Sequence, residues 1–127
     1  ALCTFEQATI YPAKPISGFV FAMSPEEKEE AARQQNAQAA DIQKTAEAIQ
    51  PALTVLDELN VALSCGMVTQ ENAEKLIDAA LAFGDVVSTG RNAPEWLRAR
   101  ADYVSEIAAQ KHPFETEKLA AREGIEY

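Results

Sequence analysis

At 127 residues, 47% of them hydrophobic, the chain has the size of one domain and enough apolar side chain to bury a core without disulfide or metal staples. Its 20 acidic and 11 basic residues give a formal charge of −9, which repels nucleic acid and anionic membrane surfaces and favours a basic protein as partner. No apolar run approaches the roughly 20 residues that cross a bilayer, and no basic n-region with a long apolar stretch marks a signal peptide, so the expected compartment is the cytoplasm.

Residues 1–23 differ from everything after them. Phe5, Ile10, Tyr11, Ile16, Phe19 and Phe21, interleaved with Pro12, Pro15 and Gly18, favour extended backbone. They predict an arm that packs on the rest of the chain, pairs as a short β-hairpin, or is covered by a partner, with 24–127 forming a helical domain. Ser24-Pro25-Glu26-Glu27 then carries the signature of a helix start: a capping hydroxyl, a proline suited to the first turn, and a glutamate three residues on. Good helix formers continue to Gln50, and nothing before Ile42 is large and apolar, which predicts a projecting, solvent-exposed first half.

From Ile42 the apolar positions step by four and three through Ala46, Ile49, Leu53 and Leu56 to Asn60 and Leu63, the spacing of a helix seam. Asn60 is the polar member of that row. Pro51 falls opposite it and divides the prediction into helical segments at 25–50 and 51–64. Such a seam serves an antiparallel hairpin with the next helix, or assembly with a second copy or another protein.

Gly66 stops this segment, and Thr69 caps a second helix that starts at Gln70 with Ala73, Leu76, Ile77, Ala80, Leu81 and Val87 on its apolar face and ends by Gly90. A third helix is expected over 94–110, with Leu97, Ala101, Val104 and Ala108 on one face and Trp96 and Tyr103 flanking it. A short fourth is expected over 114–123, before Gly124. The predicted fold is all-α: a four- or five-helix bundle-like domain with a long N-terminal helix and an extended arm.

Catalytic signals are sparse. No GxSxG, Walker-type loop, GxGxxG or HExxH occurs, and the single histidine, His112, sits beside Pro113 at a helix boundary without partners at triad or zinc spacing. Glu71 with Glu74, and Glu74 with Asp78, read as a solvated helix face; Cys3 and Cys65 lie far apart and lack any redox or zinc motif. No catalytic residue, metal ligand or cofactor is therefore expected. The reading favoured by these residues is a non-enzymatic protein-interaction module: an adaptor, assembly factor or inhibitor of the kind small bacterial and phage accessory proteins provide, able to homo-oligomerise. Its contact residues are Phe19, Phe21 and Trp96 as aromatic anchors and Glu26, Glu27, Glu29 and Glu30 as an acidic strip. Two alternatives stand beside it: an acidic mimic of nucleic acid that blocks a DNA- or RNA-binding protein, and a helical enzyme or small-ligand binder with a pocket between helices.

Overall fold

Ser24 and Glu27 close the expected capping box at the head of the first helix. The Ser24 hydroxyl accepts from the Glu27 amide at 3.2 Å, and the Glu27 carboxylate accepts from the Ser24 amide at 2.7 Å. This helix, α1, runs Pro25–Ile49 in a computed structural model that describes residues 22–112 and 116–117. Phe19, Phe21 and Cys3, with nearly all of the arm and of the helix expected at 114–123, lie outside the described residues.

Gln50 adopts the left-handed conformation (φ 50°) and donates its amide to Ala46 O, and Pro51 cannot continue the ladder, so α1 ends there. The chain does not resume as a helix. Leu53–Leu56 is a strand, β1, followed by two helices, α2 (Leu59–Ser64) and α3 (Gln70–Leu81), a second strand, β2 (Asp85–Ser88), and a one-turn-and-a-half helix, α4 (Glu95–Arg100). The two strands pair in parallel, with Thr54 opposite Val86 and Leu56 opposite Ser88. The fold is thus mixed α/β, and the all-α expectation is overturned. Its error lay in the Leu-Thr-Val-Leu and Asp-Val-Val-Ser segments: both are short and contain β-branched residues, and spacing alone cannot separate such a strand from a helix turn.

The predicted seam is divided accordingly. Ile42 and Ile49 lie on α1, Leu53 and Leu56 on β1, and Asn60 and Leu63 on α2, so they form no continuous helical row. The helix expected to reach Gly90 stops at Leu81, and the one expected over 94–110 stops at Arg100, leaving 101–112 exposed and irregular. Among the described residues, no helix is long and apolar enough to cross a membrane.

Parallel strands need a crossover, which α2 and α3 supply. One face of the sheet carries Leu56 and Val86 into a core with Leu59, Val68, Ala73, Leu76, Ile77 and Leu97; Ala39 of α1 joins the same cluster. The other face, with Val55 opposite Val87, is exposed. Ala73 and Ala80 are fully buried, and these small side chains let α3 lie close beneath its neighbours.

Asn36 ties α1 to the start of α3. Its side-chain nitrogen donates to Met67 O at 3.1 Å, while its oxygen accepts from the Thr69 amide at 2.9 Å and from the Asn72 side chain at 2.8 Å. Thr69 in turn caps α3 by accepting from the Asn72 amide. Asn36→Ala removes the common partner of groups from three positions, and we expect a loss of about 2 kcal/mol. That appears as a lower urea midpoint at unchanged slope.

Candidate functional site

Because β1 and β2 run in the same direction and are in register at Leu56 and Ser88, the residues that follow them emerge at one end of the sheet. Open parallel sheets bind ligands there, outside the carboxyl ends of the strands. Asp57 and Glu58 follow β1; Thr89, Gly90, Arg91 and Asn92 follow β2.

Hydrogen bonds lock the two segments together. The Thr89 hydroxyl donates to Asp57 Oδ1 at 2.5 Å and accepts from the Glu58 amide at 3.0 Å. On the backbone, the Thr89 amide donates to Leu56 O at 3.2 Å and the Asn60 amide to Thr89 O at 3.1 Å. The Asn60 side chain donates to Gly90 O at 3.1 Å. Pairing therefore continues past the last ladder residues and fixes where Asp57 and Thr89 stand.

This end also concentrates unusual backbone. Glu58 (φ 58°), Gly90 (φ 114°) and Asn92 (φ 58°) all have positive φ. A non-glycine residue held there costs free energy and persists only where its surroundings fix it, as they do at functional sites. At Gly90 a side chain has little room: an added Cβ would lie 3.2 Å from Val61 N and 3.3 Å from Glu58 Cα.

Chemically, the cluster offers two exposed carboxylates, Asp57 and Glu58, and one exposed guanidinium, Arg91, which makes no ion pair among the described residues. Arginine suits phosphate, and a divalent cation held by one or two carboxylates completes its shell with phosphate oxygens and water. No group of three or more His, Cys, Asp or Glu among the described residues forms a metal site by itself. The donor set thus fits a metal ion that arrives with a phosphate ligand. Asn60 is 7% exposed, and its Oδ1 is buried without a partner among the described residues.

Asn60, polar in the predicted seam, belongs to this end; the described contact residues singled out from the sequence lie elsewhere. Glu26, Glu27, Glu29 and Glu30 are exposed on the first turns of α1. Glu27 is engaged in the capping box, and the Gln34 side chain, then Arg33, hold the Glu30 carboxyl below its usual range. Trp96 is half-buried on α4 and packs against the core. Glu71 pairs with Lys75, Glu74 accepts from Gln70, and Asp78 pairs with Arg100 across to α4. Cys65 is a free, exposed thiol. Sequence reasoning missed Asp57, Glu58, Thr89, Arg91 and Asn92. The available signal was an apolar run ending abruptly in two acids, and a second ending in Ser-Thr-Gly-Arg-Asn.

Comparison with known proteins gives two findings. The family model for ATP:corrinoid adenosyltransferase BtuR/CobO/CobP matches residues 2–127. A corrinoid adenosyltransferase from Pseudomonas aeruginosa is 39% identical over 75 residues, which cover 59% of this chain and 36% of that protein. The chain therefore spans little more than a third of this relative's length. No solved structure matches. These findings overturn the non-enzymatic interaction module, its inhibitor and adaptor variants, and the expectation of a protein as the sole partner: the matched family consists of enzymes named for two small molecules. Of the readings weighed from the sequence, the enzyme alternative is the one supported, though without the all-helical scaffold assumed for it.

Proposed function

Because the chain belongs to the ATP:corrinoid adenosyltransferase family BtuR/CobO/CobP, we propose that its strand-end cluster serves the transfer of an adenosyl group from ATP to a corrinoid. The observation that carries this reading is the convergence of Asp57, Glu58 and the Thr89–Asn92 segment at the carboxyl end of a parallel sheet. Taking adenosyl from ATP breaks the bond between ribose C5′ and the α-phosphate oxygen, and the triphosphate leaves with the bonding electrons. The acceptor supplies the electron pair of the new bond.

Negative charge therefore grows on the phosphate side during the reaction, and the protein groups that matter are those that hold this charge. Arg91 is placed to contact triphosphate oxygens, with no carboxylate among the described residues to neutralise it first. Asp57 and Glu58 are the carboxylates that would hold the divalent cation accompanying ATP. Thr89 keeps the Asp57 carboxylate oriented by donating to it, so that the carboxylate spends little entropy on finding its geometry.

The test is direct. The protein is incubated with ATP, a divalent cation and a reduced corrinoid, and adenosylated corrinoid and free triphosphate are quantified together. Equal yields of both are expected, and Arg91→Ala should lower kcat/KM for ATP at least tenfold. ATP hydrolysis to ADP and phosphate without adenosylated corrinoid would reject the proposal.

A further inference from the structure

Asn60 is buried in the first turn of α2, yet half of its amide goes unused. The side-chain nitrogen donates to Gly90 O, the backbone amide donates to Thr89 O, and Oδ1, although buried, has no partner among the described residues. An aliphatic side chain of similar size would fill the same space without an orphaned acceptor. Packing alone does not call for an asparagine here. The single thing its side chain does among the described residues is hold the carbonyl of Gly90, a residue with φ 114° directly before Arg91. The Asn60 Cβ also lies within 3.3 Å of where a Gly90 side chain would begin, so the two residues set each other's place.

We infer that Asn60 is a positioning residue for the reaction: it fixes Gly90 and through it presents Arg91 and Asn92 to the ligand held by Asp57 and Glu58. This rests on the adenosyl-transfer reading above. Asn60 does not touch the reacting atoms in this account. It acts by holding a left-handed segment in one arrangement, and small displacements of a positioned group cost far more in rate than in ground-state affinity.

The role separates activity from stability. Asn60→Leu removes the orphaned acceptor and keeps the branched shape with two larger methyl ends, and the released Gly90 carbonyl lies at an exposed residue where water can satisfy it. The melting temperature should therefore hold or rise, while kcat falls tenfold or more and KM for ATP stays within threefold of the parent. Asn60→Ala serves as a second variant in case leucine does not fit, with the same kinetic split expected per folded molecule. A purely structural asparagine would behave otherwise, with kcat per folded molecule unchanged, or with activity lost in step with folded protein in both variants. Either result overturns the inference. If the parent protein itself fails to adenosylate a corrinoid, the proposed function has failed and not the role of Asn60 within it.

Discussion

Asp57→Ala should reduce adenosyl transfer by roughly 10²–10³-fold while leaving the protein folded. The carboxylate is exposed, so its removal opens no cavity, and among the described residues its hydrogen bond is with the Thr89 hydroxyl, which can turn to water. What disappears is a fixed negative charge at the end of β1, where the cation that screens the triphosphate would be held. Asp57→Asn sharpens the result. It keeps the size and still offers an oxygen to Thr89, but it carries no charge. If Asn restores activity, Asp57 serves only to orient Thr89; if Asn is as impaired as Ala, its charge is what the reaction uses. The second outcome is expected, together with a weaker response of the rate to added divalent cation. Circular dichroism and the thermal midpoint check that neither variant has unfolded.

The largest effect on stability is expected from Gly84→Ala. An added Cβ would stand 2.2 Å from Ala52 O and 2.4 Å from Ala52 C, both backbone atoms that cannot rotate aside. The neighbouring Asp85 amide donates to that same Ala52 oxygen at 3.0 Å, immediately before the strands begin to pair. The substitution must therefore push the start of β2 away from β1 or break this bond. Overpacking against side chains costs about 1–3 kcal/mol, and against backbone the upper end or beyond is expected. For a small domain of ordinary stability, that is a large share of the total. Gly66→Ala is the matching control. Nothing lies within 4 Å of its added Cβ, and the cost there comes from φ 72° alone, about 1 kcal/mol. Urea unfolding should rank Gly84→Ala well below Gly66→Ala, and equal midpoints would show that Gly84 is not packed against Ala52 as described.

The starts of α1 and α3 were legible in the sequence because their signals are local. Ser24, Pro25 and Glu27 mark the start of α1, and Thr69 marks that of α3, through hydrogen bonds that span three residues. The strands were not legible, because their defining interactions are remote. Leu53–Leu56 falls into step with Ile42, Ile49 and Leu63 by chance of spacing, and only its pairing with Asp85–Ser88 distinguishes it from a helical turn. The candidate site inherited that blindness. Asp57 and Thr89 lie 32 residues apart, and nothing near either one announces that parallel register brings them within hydrogen-bond reach. Asn60 stood out in the sequence as a polar residue in an apolar row, and the structure gives that oddity a cause in the carbonyl of Gly90. The acidic strip on α1 misled for a simpler reason: carboxylates in the first turns of a helix are favoured by its dipole whether or not anything binds them.

Nucleotide binding at the strand ends can be read by following the backbone amide resonances of the protein as ATP with a divalent cation is added. Saturable shifts are expected, concentrated at Asp57–Asn60 and Thr89–Asn92 and sharply weakened in Asp57→Ala. Saturable binding with shifts confined to other parts of the molecule, or shifts that Asp57→Ala leaves unchanged, would contradict a site at the strand ends.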